Sequence, residues 1–196
     1  MDYAAAYGHM EVLEALLALG AEMEAKNDGG ATPMHYAANY GRVEVIKTLV
    51  TLGANKEART ASRATPLHWA AIEGHVEAIK ALVVLGAHQE AKTENGATPL
   101  HSAAATGHVE AIRALVVLGA NKQAKAANGA TPLHDAALKG HVEAIRALVE
   151  LGADIDAQTD HGETPLQVSV RLNQHAAAQV LRALHPPHPH EEEGCD

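Results

Sequence analysis

The 196-residue chain has no phenylalanine, one tryptophan, four tyrosines and a single cysteine. Without phenylalanine, its core must be built from Leu, Val, Ile and Ala, the bulk of a hydrophobic content of 47%. One thiol, Cys195, rules out an intramolecular disulfide and agrees with a reducing compartment. Positive charge is scarce as well. The 15 Lys and Arg stand against 24 Asp and Glu, a net charge of −9, which speaks against nucleic-acid binding as the main role because that needs a basic stripe. No apolar run approaches membrane-spanning length. The chain opens on Met-Asp-Tyr rather than on a secretory leader, so cytosol or nucleus is the expected location.

Catalytic signatures are missing too. The chain holds no nucleophile elbow, phosphate loop, HExxH pair or Cys-x-x-Cys. No enzymatic activity and no cofactor are expected.

What is present is repetition. Thr-Pro-Leu-His, or a close variant, starts at Thr32, Thr65, Thr98, Thr131 and Thr164, at an interval of 33 residues. Two glycine columns keep the same register, at Gly41, Gly74, Gly107 and Gly140 and at Gly53, Gly86, Gly119 and Gly152. A fixed period of this length marks a solenoid whose units bury their apolar faces only by stacking on neighbours.

Each unit reads physically. Thr65 suits an N-cap and Pro66 the first helical position, so a helix starts there and ends at Gly74, which can take a positive φ. A second helix spans about His75 to Leu85, with Val76, Ile79, Leu82 and Val83 at helical spacing. The polar stretch that follows, with Thr93-Glu94-Asn95-Gly96 inside it, predicts a β-turn or short hairpin. The adjacent alanines of the first helix leave room for close packing.

These residues, TPLHxAA, GH and LGA at a 33-residue period over about residues 2–185, resemble the ankyrin repeat family. The resemblance implies an all-α repeat solenoid of helix-turn-helix units with projecting β-turn or hairpin loops. One domain, residues 1–185, is expected, with units at 2–31 (truncated), 32–64, 65–97, 98–130, 131–163 and a C-terminal cap at 164–185. In that cap Gln167 replaces the motif His and Asn173 the inter-helix Gly. The tail 186–196, PPHPHEEEGCD, is expected to be disordered and solvated. Its histidines match no closed zinc spacing, so no metal site is assigned.

Eight of the fourteen histidines fall into two repeat columns, His35, His68, His101 and His134 and then His9, His75, His108 and His141. One per column per repeat is architectural spacing, and the resemblance implies that the first column hydrogen-bonds the turn backbone.

The informative residues are those that break the repetition. The second helices barely vary: residues 74–87, 107–120 and 140–153 differ only at Lys80/Arg113/Arg146 and Val84/Val117/Glu150. The first helices vary in three columns related as i, i+3 and i+4, which share one helix face. They read Tyr3, Tyr36, Trp69, Ser102, Asp135, Val168; then Ala6, Asn39, Ile72, Ala105, Leu138, Arg171; then Tyr7, Tyr40, Glu73, Thr106, Lys139, Leu172. Every aromatic side chain of the Tyr, Trp or Phe kind lies there, in the first three units. Tyr and Trp are the residues most enriched at binding hot spots. Against that stands the reading that Tyr36 and Trp69 partly fill gaps between helices. At the loop tips Arg63 stands where the other units carry Gly, and a positive φ there would be strained.

The resemblance implies that this face, with the loops, lines a concave groove that holds a protein or peptide. The candidate residues are Tyr3, Tyr7, Tyr36, Asn39, Tyr40, Trp69 and Ile72 for affinity, with Glu73, Arg63, Asp135 and Lys139 for orientation. A monomer is expected, with self-association through the truncated first unit as the alternative. Two other readings stand beside it: a structural or assembly segment of a longer array, and a regulatory arm of a separate enzyme.

Overall fold

A computed structural model describes residues 1–185; the expectation for the tail concerns residues outside that range. The described residues form helices and turns, with no strand among them. The helices are α1 (Asp2–Tyr7), α2 (Met10–Ala18), α3 (Pro33–Asn39), α4 (Val43–Thr51), α5 (Pro66–Ile72), α6 (Val76–Val84), α7 (Pro99–Thr106), α8 (Val109–Val117), α9 (Pro132–Lys139), α10 (Val142–Glu150), α11 (Pro165–Arg171) and α12 (His175–Leu184).

Each odd helix starts with Thr at the N-cap and Pro at the first helical position from α3 onward, as the sequence predicts. The motif His stands three residues after the cap, where Glu or Gln completes a capping box. Its Nδ1 accepts the cap's backbone N–H, at 3.2 Å for His35 and His68 and 3.1 Å for His101 and His134. With Nδ1 accepting, Nε2 carries the proton and donates to a carbonyl in the next loop: Ala64, Ala97, Ala130 and Glu163, at 3.0–3.1 Å. One imidazole thus caps its own helix and ties its unit to the next. In the last unit Gln167 keeps the capping half alone, accepting from Thr164 N–H at 2.8 Å.

The odd helices pack in series, α1 on α3 through to α11, and α4, α6, α8, α10 and α12 form a second series against them. Ala37, Ala38, Ala70, Ala71, Ala103, Ala104, Ala136 and Ala137 are all fully buried, which lets the odd helices approach closely. Leu49, Leu82, Leu115 and Leu148 fill the space between the layers. The buried apolar cluster is continuous from Ala4 to Leu181. Val76 and Val83, by contrast, are only partly buried.

The second His column explains the inter-helix glycines. A Cβ on Gly74, which has φ +72°, would lie 2.6 Å from the ring of His108, so neither the conformation nor the space admits a side chain. His75 and His141 donate from Nε2 to the carbonyls of Asn39 and Ala105 one unit back, at 2.9 and 3.1 Å. Arg42 and Gln174 make the equivalent reach to Ala6 and Leu138.

The loops are turns rather than hairpins. In the second unit Thr60 N–H bonds Ala64 O at 3.1 Å and Arg63 N–H bonds Thr60 O at 2.9 Å. Successive tips are joined by backbone bonds: Ala61 N–H to Gly29 O, Glu94 N–H to Ser62 O, Ala127 N–H to Asn95 O and Asp160 N–H to Asn128 O. Two side-chain ladders lie beneath. Glu24, Glu57 and Glu90 each accept a backbone N–H of the next unit at 2.8 Å, and Lys26, Arg59, Lys92 and Lys125 each donate to a carbonyl 33 residues on.

Candidate interaction face

The three variable columns lie along the odd helices. Their exposure follows the i, i+3, i+4 geometry, with the column nearest the core the most buried. Tyr36, Trp69, Ser102 and Asp135 are half-buried and Val168 is buried, whereas Tyr40, Glu73, Thr106, Lys139 and Leu172 are exposed. In the middle column Asn39 is half-buried and Ile72 and Leu138 are a little over one-third exposed.

The structure brings most of the aromatic candidates together. Tyr3 stacks on Tyr7 with ring centroids 6.3 Å apart, and Tyr7 stacks on Tyr40 at 6.1 Å. Tyr36 meets Trp69 edge-on at 5.8 Å, and Trp69 meets the motif imidazole of His35 edge-on at 5.3 Å. Tyr3, Tyr7, Tyr36, Tyr40 and Asp2 line a cleft of about 340 Å³. Tyr3, Tyr7 and Tyr40 remain 80%, 55% and 45% exposed, apolar area left in water despite its mutual contacts. Tyr36 is different: it packs against the core, and its hydroxyl accepts from Asn27 Nδ2 at 2.8 Å. Tyr36 therefore serves both packing and surface, as the gap-filling alternative anticipated.

The charged candidates are dispersed. Arg63 sits at a loop tip with φ +63°, in the left-handed region that Gly30, Gly96, Gly129 and Gly162 occupy in the other loops. Its guanidinium is exposed and makes no hydrogen bond or ion pair among the described residues. Glu73 and Lys139 are likewise exposed and unpaired there.

Asp135 stands apart from them. Its carboxylate makes no hydrogen bond or ion pair among the described residues. Burial pushes its pKa up to about 7, opposed only by the Lys139 ammonium one turn along the helix. Its neutral form is thus favoured well beyond that of an ordinary aspartate. It opens onto a second cleft, of about 150 Å³, between α9 and the last unit. Glu163 lines the same cleft, and two hydrogen bonds of 2.7 and 3.1 Å tie it to Arg171. Sequence reasoning passed over Glu163, because its partner lies eight residues on in the next helix and no repeat shares the pair.

The motif histidines carry no chemistry of this kind. Burial lowers the pKa of all four, to about 4 for His68 and His101, so they are neutral structural donors. No group of three or more His, Cys, Asp or Glu with metal-binding proximity exists among the described residues, and no described helix is long and apolar enough to cross a membrane.

Paired helices, tied unit to unit by capping imidazoles and presenting one variable face, define a helical repeat solenoid. Profiles of ankyrin repeats match residues 1–50, 54–126, 84–159 and 117–189, and the chain belongs to the ankyrin repeat family. No individual curated protein matches it significantly. Ankyrin repeats generally serve as protein–protein interaction modules and are typically non-enzymatic.

Proposed function

We propose that this chain is a non-enzymatic binding module that holds a protein or peptide in the groove formed by the odd-helix face and the loops. The aromatic N-terminal half is its main anchor. One observation carries the reading: Tyr3, Tyr7 and Tyr40 form a stacked row around a cleft while keeping much of their surface in water. Rigid, amphipathic rings of this kind supply contact area at little cost in rotamer entropy. The near-identity of the even helices agrees with it, since their exposed positions have not diversified in the middle units.

The test is partner binding by a variant series. Tyr7→Ala, Tyr40→Ala and Trp69→Ala should each weaken binding by roughly 1–3 kcal/mol. Ser102→Ala, Thr106→Ala and Lys80→Ala should be close to silent. Lys80 is engaged with Glu77 at 2.8 Å on the exposed face of α6, away from the proposed contact. Trp69 is the chain's only tryptophan, so its emission should shift when partner binds. Unchanged emission together with binding insensitive to the tyrosines would overturn the reading.

A further inference from the structure

The Asp135 cleft has a chemistry that the aromatic end lacks. The Asp135 carboxylate lines this cleft together with Leu138 and Val168, and no donor among the described residues hydrogen-bonds to it. The charged groups around it do not supply one. Lys139, on the same helix, is exposed and makes no hydrogen bond or ion pair among the described residues, Arg171 is committed to Glu163, and His161 and the motif imidazole of His134 are among the other polar lining residues. A recessed anion without a partner is unfavourable in the free protein, and a cation from outside would satisfy it.

We propose that this cleft receives a lysine side chain from an extended segment of the protein partner, its ammonium on the Asp135 carboxylate and its stem along Leu138 and Val168. Charge complementarity selects the occupant: the chain carries −9 overall, and the cleft offers one acid unpaired among the described residues, with the apolar Leu138 and Val168 in the same lining. Its size selects lysine over arginine. About 150 Å³ suits a compact ammonium on a thin methylene stem better than a planar guanidinium. The inference rests on the groove reading and adds to it the kind of residue the partner must present at the far end of the face.

The binding should be linked to protons. A lysine seated there favours the ionised carboxylate, so Asp135 should titrate lower in the complex than its free value of about 7.

The experiment uses the full chain and two capped pentapeptides, Ala-Ala-Lys-Ala-Ala and its norleucine counterpart, followed by carbon NMR of the Asp135 carboxyl. The lysine peptide should produce a saturable shift at millimolar concentration and lower the Asp135 titration midpoint, and the norleucine peptide should do neither. Asp135→Asn should weaken lysine-peptide binding by about tenfold or more, and Lys139→Ala, which removes a competing cation, should strengthen it about twofold to fivefold. Equal binding of the two peptides, no shift at millimolar peptide, or undiminished binding to a folded Asp135→Asn chain would each overturn the inference. Tyr40→Ala separates it from the reading on which it rests. Lysine-peptide binding should be unchanged by it, whereas natural-partner binding should weaken. Partner binding that depends on the tyrosines but not on Asp135 would sink the lysine site alone.

Discussion

Trp69 and Asp135 occupy the same position in two units whose scaffolds are nearly superimposable in chemistry. Both follow a Thr-Pro-Leu-His cap, both precede a pair of fully buried alanines, and both units bond the next loop through the motif imidazole. Yet one presents an indole edge-on against Tyr36, and the other presents a half-buried acid whose pKa burial raises to about 7. The difference teaches how this chain divides its work. Residues that repeat hold the stack, and most residues at equivalent places that differ reach its surface, Tyr36 and Val168 being among the ones that also pack.

The sharpest way to break that division is to cut into each class and compare losses. Leu82 and Leu115 are fully buried between the layers, so Leu82→Ala or Leu115→Ala should cost roughly 2–5 kcal/mol in denaturant unfolding, the sum of lost transfer energy and a cavity. Tyr40, 45% exposed, should cost well under half of that on truncation to Ala. A tyrosine loss as large as the leucine losses would put the aromatic row in the core and dissolve the comparison.

The repeated and the variable residues should also respond to acid in opposite directions. His68 and His101 titrate near 4 in the folded chain against an ordinary value of 6.5, because burial disfavours their charged form. The unfolded chain therefore takes up these protons first, and stability should fall as pH drops from about 6.5 towards 4, by about 3 kcal/mol for each fully titrated site. Asp135 runs the other way. Its folded value of about 7 lies above the ordinary 3.8, so the stability linked to its proton is complete below 3.8 and is lost as pH rises through 7. Its partial exposure makes that contribution the smaller one. Unfolding midpoints taken from pH 8 to pH 4 should thus decline for the parent chain. A His68→Gln, His101→Gln double variant should flatten or reverse the slope, since Gln167 shows that glutamine can cap this helix start. An unchanged slope in the double variant would remove the histidines from the account.

The fold was legible in the sequence to a degree that the interaction face was not. Thr-Pro starts, glycine stops and the leucine rows are local or periodic signals, and each emerged where the 33-residue register placed it. The Glu57-to-His88 and Arg59-to-Lys92 ladders were not legible, because their bonds span units and a column of like residues does not say which backbone group it reaches. The candidate face was legible as a set of columns and no further. Whether Tyr36 packs inward or Asp135 is recessed depends on the neighbouring units, Asn27 for one and Val168 for the other. Such pairings are set by three-dimensional stacking of residues that no repeat shares.

Arg63 gives the finest probe of the boundary between scaffold and face, because it breaks a repeated glycine for no visible structural gain. Its φ of +63° sits in the region that costs an L-residue roughly 1 kcal/mol or more, and its side chain makes no hydrogen bond or ion pair among the described residues. The turn around it is otherwise intact, with Arg63 N–H on Thr60 O and Ser62 O accepting from Glu94 N–H. Arg63→Gly should therefore relieve the strain. Part of the gain will be lost to the larger backbone freedom of glycine in the unfolded chain, so a net stabilisation of about 0.5 kcal/mol is expected in denaturant melts. If Arg63 belongs to the binding face, the same change should weaken partner binding while the fold becomes no less stable, and the loss should shrink as salt is raised. A chain that is destabilised by Arg63→Gly would show that the guanidinium supports the turn, and Arg63 would then pass from the face to the scaffold.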